Sequence, residues 1–156
     1  SMVTCNGLSN GYAVAIGDGG LAPYKYIWSD LSATENDSVT GLSEGTYSVV
    51  VSDDNGCNAV ASVLITQPDV LDATIIAKDP TSCSSACTGE ATVSAEGGTG
   101  PYIYNWDDLS SQTTATASNL CAAQYSVTVT DFLGCKDTVV TLIIFGFSIF
   151  LNLKVK

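Results

Sequence analysis

The segment "APYKYIWSD", residues Ala22–Asp30, returns as "GPYIYNWDD", residues Gly100–Asp108. In each, two tyrosines and a tryptophan alternate with other residues: Tyr24, Tyr26 and Trp28, then Tyr102, Tyr104 and Trp106. A strand sends alternate side chains to one face, so each segment carries three rings on one side. The other side holds Lys25 and Ile27, or Ile103 and Asn105. Lysine and asparagine suit water, so the ring face is expected to line the inside of a small β domain. The competing reading is a stacking platform for sugars, which requires exposed rings. Tyr24 and Tyr102 start their strands beside a proline. They are the rings expected at the rim and are the candidate ligand-binding residues.

Outward from these segments, the chain is two copies of one module. Pro23 and Pro101 lie 78 residues apart, and the same shift carries Cys5 onto Cys83, Gly11 onto Gly89, Gly20 onto Gly98, Leu42 onto Leu120, Tyr47 onto Tyr125, Asp53 onto Asp131, Gly56 onto Gly134 and Cys57 onto Cys135. The expected division is residues 1–68, residues 69–144 and a tail of residues 145–156. Within a copy, "TYSVVVSD" and "QYSVTVTD" alternate as strands do, and "DDNG" and "DFLG" read as hairpin turns. Strands and turns recur at roughly ten-residue spacing, the signature of a sandwich. Trp28 and Trp106 suit the central core strand, and Tyr47 and Tyr125 the tyrosine corner, of an immunoglobulin-like layout. "DATIIA", Asp72–Ala77, reads as a first strand of copy 2, and copy 1 nearly lacks its equivalent.

Composition narrows the function. The 156 residues carry a net charge of −11 with only five Lys+Arg, too few for a phosphate-tracking stripe, so neither nucleic acid nor an anionic membrane surface is an expected partner. Histidine is absent, which removes histidine-based triads, bases and metal ligands. Charged residues make up 13%, about half the usual share, and there is little helical patterning. Asp107 and Asp108 form an acidic pair, but copy 1 has Ser29 and Asp30 there, so the pair reads as a solvated loop and not as a glycosidase dyad.

The run Gly-Gly-x-x-Pro-Tyr-x-Tyr-x-Trp, then Leu-x4-Tyr-Ser-Val-x-Val-x-Asp, then Gly-Cys resembles the SprB-type repeat of surface adhesins of gliding bacteria, which is similar in pattern to PKD-type immunoglobulin-like modules. The resemblance implies an all-β chain of two tandem immunoglobulin-like (PKD-like) sandwiches. It implies export by the type IX route, an extracellular or cell-surface location, and a non-catalytic spacer or adhesive role. Neighbouring repeats, and surface polysaccharide, are the partners expected. A carbohydrate-binding accessory module and a donor-strand polymerising subunit are the alternatives.

An even cysteine count without paired CxxC motifs points to disulfides and an oxidising compartment. Both copies keep the same spacing between outer cysteines, so Cys5 is expected to pair with Cys57 and Cys83 with Cys135. Cys87 and Cys121 occur only in copy 2 and are expected to be partners. No cofactor is expected. The oxygen-rich turn residues Asp53, Asp54 and Asn55, with Asp18, are candidate calcium ligands. Copy 2 keeps only Asp131 of that turn trio, which favours turn chemistry. The tail, "FGFSIFLNLKVK", alternates apolar and polar residues and is too short to cross a bilayer as a helix. Shifted back by 78 it lands on the linker and first strand of copy 2, so it reads as a continuation of the last strand or the start of a further module; the alternative is a donor strand that adds to a sheet edge of another molecule, in strand-mediated self-association, or folds back onto copy 1.

Overall fold

The computed structural model describes residues 2–30, 32–81 and 87–146, and their regular structure is all strand. The chain divides into two compact units, Ser1–Val70 and Leu71–Lys156. Unit 1 holds β1 (Gly11–Val14), β2 (Lys25–Trp28), β3 (Ser38–Leu42), β4 (Gly45–Ser52) and β5 (Asn58–Ile65). They form two antiparallel sheets, β1-β3 and β2-β4-β5. Unit 2 holds β6 (Asp72–Asp79), β7 (Gly89–Glu96), β8 (Ile103–Trp106), β9 (Thr116–Leu120), β10 (Gln124–Thr130) and β11 (Lys136–Leu142). Its sheets are β6-β7-β9 and β8-β10-β11. Strands β7 to β11 match β1 to β5 one for one. Strand β6 has no counterpart among the described strands of unit 1.

Each unit closes around its tryptophan. Trp28 sits opposite Val49 and Trp106 opposite Val127 on the neighbouring strand. Both indoles are buried, among Val39, Leu42 and Ile65 in unit 1 and among Val93, Leu120 and Ile143 in unit 2. A buried indole N–H needs an acceptor. Trp28 Nε1 donates to the Asn36 carbonyl and Trp106 Nε1 to the Thr114 carbonyl, each at 2.9 Å. The ring face is therefore the inner one, and Ile27 and Ile103 on the other face are exposed. At the far end, the Tyr47 and Tyr125 hydroxyls donate to the carbonyls four residues earlier, of Ser43 and Cys121, at 3.3 and 3.2 Å. That is the tyrosine-corner contact.

A disulfide joins Cys87 to Cys121 and ties the start of β7 to the end of β9. Shifted back by 78, those positions are Ser9 and Ser43, whose hydroxyls hydrogen-bond to each other at 2.7 Å. Unit 1 thus keeps the same crosslink site, occupied by a hydrogen bond.

The pairing of Cys5 with Cys57 is not made. Cys57 is a free, exposed thiol, and Cys5 is in a disulfide, as is Cys135. The reason is distance along the sandwich. Cys57 lies just before β5, beside the Asp53 turn. Cys5 lies by the segment after β5, where Asn6 Nδ2 donates to the Pro68 carbonyl and the Gly7 N–H to Gln67 Oε1. The eight residues of β5 separate the two ends by about 25 Å, whereas a disulfide needs α-carbons within roughly 7 Å. The pairing of Cys83 with Cys135 falls on Cys83, outside the described residues, as does most of the tail.

Two variants test this arrangement. Ser9→Cys combined with Ser43→Cys is expected to oxidise spontaneously and to stabilise unit 1 by about 3–4 kcal/mol in urea denaturation, from closing a loop of 34 residues like that in unit 2. Cys57→Ser is expected to leave stability within about 0.5 kcal/mol, where loss of a 52-residue loop closure would cost about 4. Alkylation of the native protein should label Cys57.

Candidate functional site

The sequence places its candidate binding and calcium residues in the turns at one end of each sandwich. In unit 1 the Gly19–Gly20 turn, the strand-start tyrosine and the β4–β5 turn meet there. Gly19 and Gly20 both take positive φ, 77° and 68°, which a β-carbon disfavours. The Tyr24 hydroxyl donates to the Gly19 carbonyl at 2.6 Å, and Tyr102 donates to Gly97 at the same distance. Both rings are half-buried, and the Tyr24 ring lies over Gly17, where a β-carbon would meet it at 2.8 Å. Each tyrosine thus spends its hydroxyl and much of its ring on holding the glycine turn. What stays open is an edge.

Asp53 joins that turn to the β4–β5 hairpin. Its Oδ1 accepts from the Cys57 N–H at 2.8 Å and its Oδ2 from the Leu21 N–H at 3.1 Å. Those donors, Cys57 first, hold its carboxyl below the usual carboxylate value, against a smaller upward push from desolvation. Asp131 does the same work in unit 2. It is buried, and it accepts from Cys135 and Leu133 at Oδ1 and from Thr99 at Oδ2. The carboxylate oxygens of Asp53 and Asp131 that a calcium ion would need are facing backbone N–H groups. Among the described residues no cluster of three or more Asp, Glu or Cys is placed to hold a metal ion. Around Tyr24 and Asp53 the surface forms an open depression of about 360 Å³ that also touches Cys57 and Val60.

A second acid was missed as a structural residue. Asp108, placed by the sequence in a solvated loop, is buried. Burial pushes its carboxyl up. The Gln112 N–H and side-chain amide and the Ser110 N–H, at 2.9–3.0 Å, outweigh that and leave it below the ordinary value. Asp30 is lowered in the same way by the Thr34 N–H, its largest influence, with the Thr34 hydroxyl and Ser32 N–H adding to it. The signal was legible: Ser29 is replaced between copies, but Asp30 and Asp108 coincide under the 78-residue shift. Asp107 instead binds the Ser126 N–H and hydroxyl, each at 2.8 Å, and Ser29 Oγ accepts from the Ser48 N–H at 2.9 Å. Both pin the core strand to its neighbour.

The family model described as "SprB repeat" matches residues 3–33 and 75–111. No curated protein matches. Among solved structures, an amphioxus IgVJ-C2 molecule is similar over 92% of this chain and 99% of its own, with 14% identity and a TM-score of 0.42. The N-terminal eight immunoglobulin domains of Down Syndrome Cell Adhesion Molecule are similar over 93% of this chain and 25% of their own, again with 14% identity and a TM-score of 0.42. Extracellular domains 3–5 of Drosophila OTK cover 78% of this chain and 50% of their own, at 14% identity and a TM-score of 0.36.

The lowered aspartates fix the pH dependence. A carboxyl whose folded value lies below its unfolded value, near 3.9, contributes stability above that unfolded value and loses it as pH falls through the folded one. Asp30, Asp53 and Asp108 all have this sign. Unfolding free energy is expected to hold level from pH 7 to about pH 5 and to fall steadily below about pH 4. Asp108→Asn should destabilise at pH 7, because its amide N–H₂ faces the donors of Ser110 or Gln112. The gap to the parent protein should narrow at low pH, where Asp108 is itself protonated.

Proposed function

We propose that this chain, in which residues 3–33 and 75–111 match the SprB repeat, is a non-catalytic, load-bearing segment of an exported, cell-surface adhesin or stalk. The observation that carries this reading is where the chain enters and leaves a module. In unit 2 it enters at Leu71, packed beside Gly98 at the glycine-turn end. It leaves at Ile144–Gly146, at the opposite end, where β6 also finishes. There the Thr81 N–H donates to the Ile144 carbonyl at 3.1 Å and the Gly146 N–H to the Thr81 carbonyl at 2.9 Å. Entry and exit are thus separated by the length of β11, roughly 24 Å for its seven residues. Modules joined in this way add length one after another. A pull along the chain loads the parallel Thr81–Phe145 bridge across its hydrogen bonds.

The partners on this reading are neighbouring repeats. The half-buried tyrosines, with hydroxyls already bonded, favour a spacer over a sugar-stacking module. The acidic surface suits solubility outside the cell. Among the described residues no helix is long and apolar enough to cross a membrane.

Single-molecule pulling through the two termini is the test. Two separate unfolding events are expected, and Gly146→Pro, which removes the donor to Thr81, should lower the force of one of them. Smooth extension without discrete events would sink the load-bearing role.

A further inference from the structure

The outward face of one sheet differs between the two units in a way the fold does not require. Strand β4 reads Val49-Val50-Val51 where β10 reads Val127-Thr128-Val129. Val49 is buried and Val51 packs on the core, so Val50 points outward. It stands opposite Ile27 of β2 on one side and Val60 of β5 on the other. Ile27 is 50% and Val60 71% exposed. The three form an apolar row across the β2-β4-β5 sheet. Under the 78-residue shift the row becomes Asn105, Thr128 and Thr138, and the two threonine hydroxyls hydrogen-bond to each other at 3.0 Å. Asn105 and Thr138 are exposed as well. Strand β6 is present in unit 2 and leaves this face open, so exposure of the row does not depend on a first strand.

A solvated sheet face normally carries polar side chains, and a lone apolar residue on it is ordinary. Unit 2 shows that pattern: Ile103 stands opposite Thr130, Val140 opposite Ser126 and Leu142 opposite Gln124. In unit 1 three apolar residues stand side by side from strand to strand. Such a patch marks a surface that is covered by a partner.

Charge and symmetry name the partner. The chain carries a net charge of −11, so two copies repel each other over most of their surfaces. The eight acids of residues 1–70 all lie outside the strands. Lys25 is the one charged residue on β2, β4 and β5, and Ser48, Ser52, Asn58 and Ser62 flank the row. A second copy of this face therefore brings no carboxylate against another. The row also crosses the central strand of its sheet. A two-fold axis along β4 sets Val50 on Val50 and Ile27 on Val60, which closes the row on itself.

We propose that the outward face of β2-β4-β5 is a self-recognition surface, on which Ile27, Val50 and Val60 pack against the same three residues of a second copy. Three strands about 4.8 Å apart and up to eight residues long present roughly 400 Å². Two such faces bury about 800 Å², short of the roughly 1,200 Å² at which stable contacts begin. A single contact is thus weak, and copies held side by side reinforce it. The pairing is lateral, and it stands whether or not the modules bear load.

The test uses the full chain with Cys57→Ser, so that thiol oxidation cannot imitate association. Sedimentation equilibrium is expected to show a dimer forming as concentration rises from about 10 μM to about 1 mM, with no larger species. Ile27→Asn, Val50→Thr and Val60→Thr together give unit 1 the residues that unit 2 already carries at these places. That variant is expected to stay monomeric over the same range, with the near-ultraviolet circular dichroism of the parent. In the reverse exchange, Asn105→Ile, Thr128→Val and Thr138→Val give unit 2 a second row, and species larger than a dimer are expected. Amide shifts that move with concentration in the parent should fall on residues 25–28, 48–52 and 58–62. A parent that stays monomeric at about 1 mM, a folded unit 1 variant that still dimerises, a folded reverse variant that stops at the dimer, or shifts confined to other residues overturns the proposal.

Discussion

Burial of one indole per unit is the constraint on which the rest of each sandwich depends. A module of roughly seventy residues has little interior, and one large side chain fills much of it. Trp28 and Trp106 occupy that position, each facing a valine on the adjacent strand. Their N–H groups oblige the following loop to present a carbonyl inward, at Asn36 or Thr114. That loop must then hold its shape, and Asp30 or Asp108 shapes it by gathering the nearby N–H groups. The tryptophan, the loop and the capping aspartate form one linked assembly. This explains why all three coincide between copies while the loop sequence around them drifts.

The opposite turns follow a parallel logic. Asp53 and Asp131 tie a hairpin turn to a glycine turn that lies far away in sequence. Tyr24 and Tyr102 fasten the same glycine turns from below. A side chain committed to two or three backbone N–H groups has few lone pairs left for a metal ion. Acidic turns and an aromatic rim resemble a binding site in sequence. In three dimensions most of their bonding capacity is spent within the module.

Most of the fold was legible because the repeat supplied a second reading of each element. The inner face followed from Lys25 and Asn105 lying opposite the rings, and β6 followed from "DATIIA". The Cys5–Cys57 expectation failed because equal spacing reports equivalence between copies, not proximity within one. The two cysteines occupy opposite ends of β5. The role of Asp108 is hidden in the sequence because its neighbour Asp107 makes it look like half of a solvated acidic pair that copy 1, with Ser29, does not keep. Burial of an acid depends on how a loop folds over it, and that is set by Gln112 and Ser110 reaching back, which no periodicity records. The Ser9–Ser43 contact was equally available from the 78-residue shift, but a serine pair gives no signal until its cysteine counterpart is known to be bonded.

That serine pair makes the two modules unequal in how they fail. Unit 2 carries a covalent staple at the site where unit 1 carries a hydrogen bond. A hydrogen bond re-forms whenever the strands return to register, and it needs no oxidant to do so. A severed disulfide waits on thiol chemistry. In a filament of alternating modules of these two kinds, the serine-bearing ones would act as sacrificial links. They would open first under a sudden load, absorb the extension, and heal unaided while their stapled neighbours kept the thread unbroken.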